Sequence, residues 1–304
     1  MKIISDYQIR QLDISPAQCV EWVREGFLMK KRCQLPPKVS LHPRGIDFFN
    51  TMPCILPEEY NRFGCKIVSR VCGQHPPLKS VLMLFDTLTG GMLAMMDADW
   101  ITAMRTGAVA ALAINTLRKR NNAIYAFMGL GTIGRATLDC LIDTNAEASL
   151  LIKLKRYKDY AEKIAEEYSG YGNVTFSIAD TIEDFISGSD VIVSCITQAS
   201  ENIVPDVNLF KPGVLVVPVH TRGFQNCDTV FDKVFGDDTG HIQGFKYFRQ
   251  FRKYNEIAAV LSGEVLGREN DNERILSYNV GIGLHDVLFA TKIMDRLCLS
   301  WGRK

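Results

Sequence analysis

Three glycines, Gly129, Gly131 and Gly134, stand in the GxGxxG spacing. An apolar run, Ala123 to Met128, precedes them, an amphipathic run follows through Leu141, and a second apolar run spans Leu150 to Leu154. This order reads as strand, glycine turn, helix, strand, a dinucleotide-binding unit. In such a unit the first glycine makes the tight turn, the second lets the backbone approach a pyrophosphate, and the third lets helix and strand pack closely. The helix that starts near Thr132, with Ile133 and Gly134 in its first turn, offers free N–H groups and a positive dipole end to phosphates. About 20 residues past the glycines such units carry an acid for a ribose hydroxyl or a cation for a 2′-phosphate. Lys155 and Arg156 occupy that place, which favours NADP(H). NAD(H) remains open, because two surface cations are commonly just solvated and Asp159 serves as the ribose ligand if the strand register shifts.

The elements around this unit follow from pattern. A chain of 304 residues suits two domains. The net charge of +1, with 23% charged and 47% hydrophobic residues, argues against a nucleic-acid or polybasic membrane partner. No apolar stretch is long enough to span a bilayer, and the first residues meet Asp6 and lack the apolar core of a signal peptide. The nine cysteines contain no CxxC pair and several lie in apolar runs, so reduced core thiols in the cytoplasm are expected, with no metal site.

Ser15 and Pro16 make an N-cap and first-turn pair for a helix reaching Lys30, with Cys19, Val20, Val23 and Phe27 at helical spacing. Strand-like runs surround Val39, Phe48, Ile67 and Val81. The run Ser80 to Phe85 and the run Met92 to Met96 flank Thr87, Gly90 and Gly91 as a hairpin. Ala98 to Leu117 reads as a helix closed by Arg118, Lys119 and Arg120, cations that suit a helix C-terminus. Beyond Asp159, a helix over Tyr160 to Tyr168, a strand over Val174 to Ile178, a capping box at Thr181 and Asp184, and strands over Val191 to Ile196, Val214 to Val219 and Val234 to Gly236 indicate a doubly wound sheet. Ligands in such sheets lie beyond the carboxyl ends of strands, which places Thr197, Gln198, Val219 and His220 beside a nicotinamide ring. A last helix, Val280 to Leu299, carries Leu284, Val287, Leu288 and Met294 on one face and is expected to return to the first domain.

GCKIVSR from Gly64, TGGMLAMMDA, ITAMRTGAVAALA from Ile101, the glycine fingerprint, and GRENDNERILSYNVGIGLHDV from Gly267 together resemble the ornithine cyclodeaminase and mu-crystallin family over nearly the whole chain. The resemblance implies an α/β fold with a Rossmann-type doubly wound domain over 119–278. It implies an α+β substrate and dimerisation domain formed by 1–118 with 279–304, and a homodimer. It also implies chemistry at the α-carbon of a small amino or imino acid, with hydride exchanged with a nicotinamide. By the same resemblance Lys66 is the active-site lysine that contacts the substrate carboxylate. A lysine in an apolar strand is costly to bury without an anionic partner, although a snorkelling lysine has the same local sequence. Arg105, followed by Thr106, matches the arginine near the cofactor phosphates, a task that suits an always charged fork of donors. Lys38 or Arg44 matches a second carboxylate-binding cation. Ser80 matches a hydroxyl facing the cofactor, and Asn279 and Val280 match the residues that close the pocket.

The chain departs from the cyclodeaminase pattern in two places. The aspartate after the strand Val214 to Val219 is replaced by His220, Thr221 or Arg222 in the segment HTRGFQNCD, and the glutamate before Met52 and Pro53 by Asn50. Loss of both carboxylates disfavours ornithine cyclisation, and hydride transfer survives because it rests on cofactor and anchors. His220 is the candidate proton donor or acceptor, and Asp228 stands farther along the loop. The expected function is an NAD(P)-dependent oxidoreductase acting at Cα of a small amino or imino acid. Ornithine cyclodeamination and cofactor-dependent small-molecule binding are the alternatives.

Overall fold

The structure, a computed structural model, describes residues 1–76, 78–119, 123–197, 199, 202–220 and 224–301, with the backbone alone at 299–301. Arg120, Gln198, Thr221 and Arg222 lie outside the described residues. The chain forms two compact units, Met1–Arg105 with Gly281–Lys304, and Thr106–Val280.

The first unit opens with β1 (Lys2–Ile4), α1 (Asp6–Arg10) and α2 (Pro16–Met29). Ser15 caps α2 by accepting the Gln18 N–H at 3.1 Å, as its position before Pro16 predicts. Then come β2 (Val39–Leu41), β3 (Phe48–Ile55), β4 (Arg62–Arg70), β5 (Leu78–Asp86), β6 (Met92–Asp97) and α3 (Asp99–Leu117), which continues into the second unit. The strands form a sheet in the order β1-β6-β5-β4-β3-β2. All neighbours are antiparallel except β1, which runs parallel to β6. β1 escapes a pattern-based reading because three residues carry no period.

Alternation sends Met52, Cys54, Lys66, Val68, Leu82, Leu84, Ala94 and Met96 to one face, where all are buried. The C-terminal helix covers that face, and α2 packs on the helix, with Trp22 of α2 edge-on to Phe289. The registers Thr51 to Ile67, Ile67 to Val81, Met83 to Met95 and Ile3 to Met95 put a second apolar set on the opposite face. That face is open: Ile3, Val39, Leu41, Phe49, Val81 and Met95 are all exposed. An antiparallel sheet with one free face normally presents polar residues there.

The second unit contains β7 (Ile124–Met128), α4 (Thr132–Asp143), β8 (Leu150–Lys155), α5 (Tyr160–Glu167), β9 (Val174–Ala179), α6 (Ile182–Ile186), β10 (Val191–Ser194) and β11 (Leu215–Pro218). It continues with β12 (Lys233–Gly236), α7 (Thr239–Ile242), β13 (Tyr254–Glu256), α8 (Ile257–Leu261) and β14 (Ile275–Tyr278). Its sheet is parallel, in the order β13-β12-β14-β11-β10-β7-β8-β9, a Rossmann-type doubly wound α/β fold. The chain builds outward from β7 to β9 and then crosses to β10 on the other side, so the switch point lies between β7 and β10. β13 and β14 are absent from the strand reading above. β14 belongs between β11 and β12, and its four residues are all buried.

Several expected boundaries shift by one to three residues, and two of the shifts have a local cause. The strand expected to reach Ile196 stops at Ser194; the Cys195 N–H still donates to Met128 of β7 at 2.9 Å, and the chain then passes close over Gly129. The final helix, α9, spans Gly283–Trp301 and starts three residues later than expected. Gly281, with φ +78°, is in the left-handed region and breaks the path that a helix from Val280 would need.

Within the second unit α3 and α4 pack almost backbone to backbone. A Cβ at Gly107 would overlap the carbonyl group of Ala136. Gly107→Ala is therefore expected to cost about 1–3 kcal/mol and to lower Tm by several degrees in a calorimetric scan. An unchanged Tm would mean that the two helices do not approach as described.

Candidate active site

In the second unit the three glycines play different physical roles. Gly129 adopts φ +80°, and a Cβ there would strike the backbone of Cys195 and Ile196. At Gly134 a Cβ would strike the Gly129 carbonyl. Packing within the protein thus demands both. Gly131 is not demanded in this way, since among the described residues, its own chain neighbours aside, no atom lies within 4 Å of a Cβ placed on it. It is also the N-cap of α4, and among the described residues no side-chain capping bond reaches the helix start. The first turn, Thr132, Ile133 and Gly134, carries no acid. An open approach above bare helical N–H groups suits a pyrophosphate. The donor set of these residues fits a dinucleotide pyrophosphate.

Lys155 is the last residue of β8, and its Nζ donates to the carbonyls of Arg156 and Asp180 at 3.1 and 2.9 Å. Arg156 pairs with Asp180 and Glu162. Asp159 stands past the strand end and pairs with Lys163 at 2.7 Å, a hydrogen bond that holds its carboxyl below the usual carboxylate range. Cations rather than an acid therefore end β8.

At the carboxyl ends of β10 and β11, Ser194 Oγ and His220 Nε2 lie 2.7 Å apart. The Val219 N–H donates to the Ser194 carbonyl at 2.8 Å. Thr197 is exposed just beyond β10. Asn279 is buried, with its N–H on the Pro218 carbonyl at 3.1 Å and its side-chain amide on the Ser277 carbonyl at 2.9 Å. Val280 follows it, half-buried, and Thr106 is half-buried on α3. Asp228 is not on the strand end. It is buried beneath the loop, where it accepts the Tyr278 hydroxyl at 2.5 Å, and burial pushes its carboxyl up to about 7.

In the first unit a second group of polar residues is buried. Lys66, on β4, is fully buried and its Nζ donates to Asp286 Oδ1 at 2.7 Å. Arg105 Nε donates to the same oxygen at 2.8 Å. The guanidinium of Arg105 lies against Gly281, where any side chain would collide with it. Burial pushes the Lys66 ammonium down to about 7, Arg105 adds to the push, Asp286 opposes it, and Lys38 contributes in the same sense as Arg105. A fully buried lysine at this point is not a snorkelling surface residue. Of the two candidate anchors, Lys38 acts electrostatically on Lys66, whereas Arg44 is 81% exposed at 3.9 Å from Asp47. Asn50 lies on the same face of the sheet as Lys66, and its buried Oδ1 finds no hydrogen-bond partner among the described residues. Ser80 is pinned within the unit: its N–H donates to Asp99 Oδ1 at 2.7 Å and its hydroxyl accepts from Thr102 at 2.9 Å.

Sequence reasoning read α9 only for its apolar positions and missed Asp286 and His285. The available signal was a carboxylate within a helix whose flanking Leu284, Val287 and Leu288 all face inward. His285 is fully buried with its ring 4.5 Å from Phe27, and burial, with Arg105 adding to it, drives it down to about 3, so the ring is neutral. Among the described residues no group of His, Cys, Asp and Glu is placed to hold a metal.

The contrast between glycines is directly testable. Gly134→Ala is expected to lose about 1–3 kcal/mol of stability through overpacking. Gly131→Ala is expected to change stability by at most about 0.5 kcal/mol yet weaken dinucleotide binding at least about tenfold in calorimetric titration. Equal dinucleotide affinity for Gly131→Ala and the wild type would remove the cradle assignment.

Known proteins of this architecture accord with the geometry. The chain is 28% identical over 271 residues to the nodulation efficiency protein NfeD of Rhizobium meliloti, covering 86% of this chain and 83% of that protein. It is 26% identical over 236 residues to a Delta(1)-pyrroline-2-carboxylate reductase of Bacillus thuringiensis subsp. konkukian, covering 72% and 71%. Its fold matches the Thermococcus litoralis Delta(1)-pyrroline-2-carboxylate reductase solved with NADH and L-proline, with a TM-score of 0.86 at 22% identity over 99% of this chain and 98% of that one. Residues 3–300 match the family model as a whole, and the protein belongs to the ornithine cyclodeaminase/mu-crystallin family.

Proposed function

We propose that the protein is an NAD(P)-dependent oxidoreductase that interconverts a small imino acid and the corresponding amino acid at Cα. The observation that carries this reading is the open cradle at Gly131, a place that packing among the described residues leaves unfilled. Bound there, a nicotinamide dinucleotide supplies or accepts the hydride. Thr132, Ile133 and Gly134 meet its pyrophosphate through their N–H groups. Lys66, with Lys38, holds the carboxylate of the acid. Asn50 offers its buried Oδ1 as an acceptor to an N–H of the acid, and His220, oriented by Ser194, handles a proton. Orientation against the cofactor provides much of the rate. The reduction class is favoured over cyclodeamination because Asn50 stands where the resemblance implies a glutamate.

NADP(H) is the proposed cofactor, because Lys155 and Arg156 end β8 and Asp159 is engaged by Lys163. Among the described residues no helix is long and apolar enough to cross a membrane.

In the first unit, the open apolar face of the sheet is the proposed seat of a second copy of the chain. Ile3, Leu41, Phe49 and Val81 form on it the kind of contiguous exposed apolar surface that marks an association site.

Two outcomes are expected. NADPH consumption with Δ1-pyrroline-2-carboxylate should be measurable by absorbance, be lost in Lys66→Ala, and shift toward NADH when Lys155 and Arg156 are both exchanged for Ala. Net conversion of ornithine to proline without NADPH consumption would instead select cyclodeamination. In sedimentation velocity the wild type should run as a dimer and the Leu41→Glu, Val81→Glu double variant as a monomer. A double variant that stays dimeric would place the interface elsewhere.

A further inference from the structure

Two cations of the first unit share one carboxylate oxygen. Lys66 Nζ lies 2.7 Å and Arg105 Nε 2.8 Å from Asp286 Oδ1, and all three side chains are buried. An ion pair built for stability would turn the Arg105 fork onto both oxygens of the carboxylate. Here Arg105 meets Asp286 through Nε, and Oδ2 is buried with no hydrogen-bond partner among the described residues. Leaving such an oxygen unpaired is unfavourable, so stability alone does not account for the arrangement. Lysine has three donors. Lys66 places one on Asp286, and among the described residues Nζ makes no other hydrogen bond.

Three elements converge on the ammonium. Asp286 comes from α9, Arg105 from α3, and Lys38 from the segment ahead of β2. The nearby ionisable groups are neutral: His285 is driven down to about 3, and the Cys54 thiol is pushed up by its hydrogen bond with Cys33. Asp286 is thus the only negative charge recorded as acting on Lys66 among the described residues, and it acts against burial and two cations.

We propose that Asp286 is the positioning residue of the reaction centre: through Oδ1 it keeps Lys66 charged and fixes the direction of Nζ, so that the remaining N–H groups meet the anionic end of an imino acid. This rests on the reading of Lys66 as the substrate-facing lysine. The sign of the effect follows from charge. Asp286 favours the ammonium, so its neutral isostere lets burial and Arg105 prevail, and Lys66 then loses its proton at a lower pH.

The test is Asp286→Asn, read in two ways. The first needs no activity: protein carrying 13Cε-labelled lysine is titrated by NMR, with the Lys66 signal assigned through Lys66→Arg. A midpoint near 7 is expected in the wild type, displaced downward by about one pH unit or more in Asp286→Asn, the size of effect an opposite charge at this distance exerts. The second is the pH profile of imino-acid reduction, which should fall as pH rises through about 7 in the wild type. In Asp286→Asn the falling limb should move to lower pH by the same amount. KM for the imino acid should rise at least about tenfold at pH 7.5 and partly recover at pH 6, while NADPH affinity stays unchanged. A role confined to folding would lower activity equally at every pH and leave both midpoints where they are, and that result overturns the proposal. If no imino acid is reduced even by the wild type, the function fails while the NMR titration still decides the role of Asp286. Arg105→Met, which removes the other claimant on Oδ1, is the second variant. Its Lys66 midpoint should rise, and an unchanged midpoint would also overturn the proposal.

Discussion

A lysine ammonium beneath the covered face of an apolar sheet is the constraint around which the first unit is arranged. Transfer of such a charge out of water is prohibitive unless an opposite charge comes with it. β4 cannot provide that charge itself, because its inward neighbours are Gly64 and Val68. It arrives from more than two hundred residues later in the sequence, on α9, where Asp286 faces inward among Leu284, Val287 and Leu288. The C-terminal helix therefore does two jobs at once. It covers the apolar face of the sheet and neutralises the cation embedded in it. Gly281 ahead of the helix makes room for Arg105, and Gly283 lies tight against the backbone of Met52 and Pro53, so the helix start is pressed onto the sheet where the charges meet.

The second unit poses a different problem, a proposed anion at the start of a glycine helix whose nearest cation, Arg135, is paired with Glu167. Backbone N–H groups and the helix dipole do that work, provided nothing fills the space above them. Two glycines serve the protein's own packing. The third, Gly131, is not claimed by packing among the described residues, which is why the proposed dinucleotide is placed there. The same sequence symbol thus has two physical meanings that the spacing alone does not separate.

The open face of the first sheet has the pattern of a core without a cover. Strand alternation puts apolar residues on both sides of β3 to β6, and α9 shields only one. The cost of exposing the other face is what makes a second copy of the chain the proposed cover.

Much of this was legible in the sequence because it depends on local periodicity. The βαβ unit, the Ser15 cap, the hairpin around Gly90 and the amphipathic α9 each lie within a window that hydrophobic spacing and turn chemistry can read. The sequence by itself also determined the family, since its motifs recur in order along nearly the whole chain. β1 and β14 needed the fold, because a strand of three or four residues has no period and becomes a strand only through the neighbour that pairs with it. The preference for Lys38 over Arg44, and the distinction among the three glycines, likewise depend on three-dimensional neighbours. The pairing of Lys66 with Asp286 belongs to the same class. Charge is written in the sequence, but the dielectric and the partner that decide its chemistry exist only once the helix is folded onto the strand.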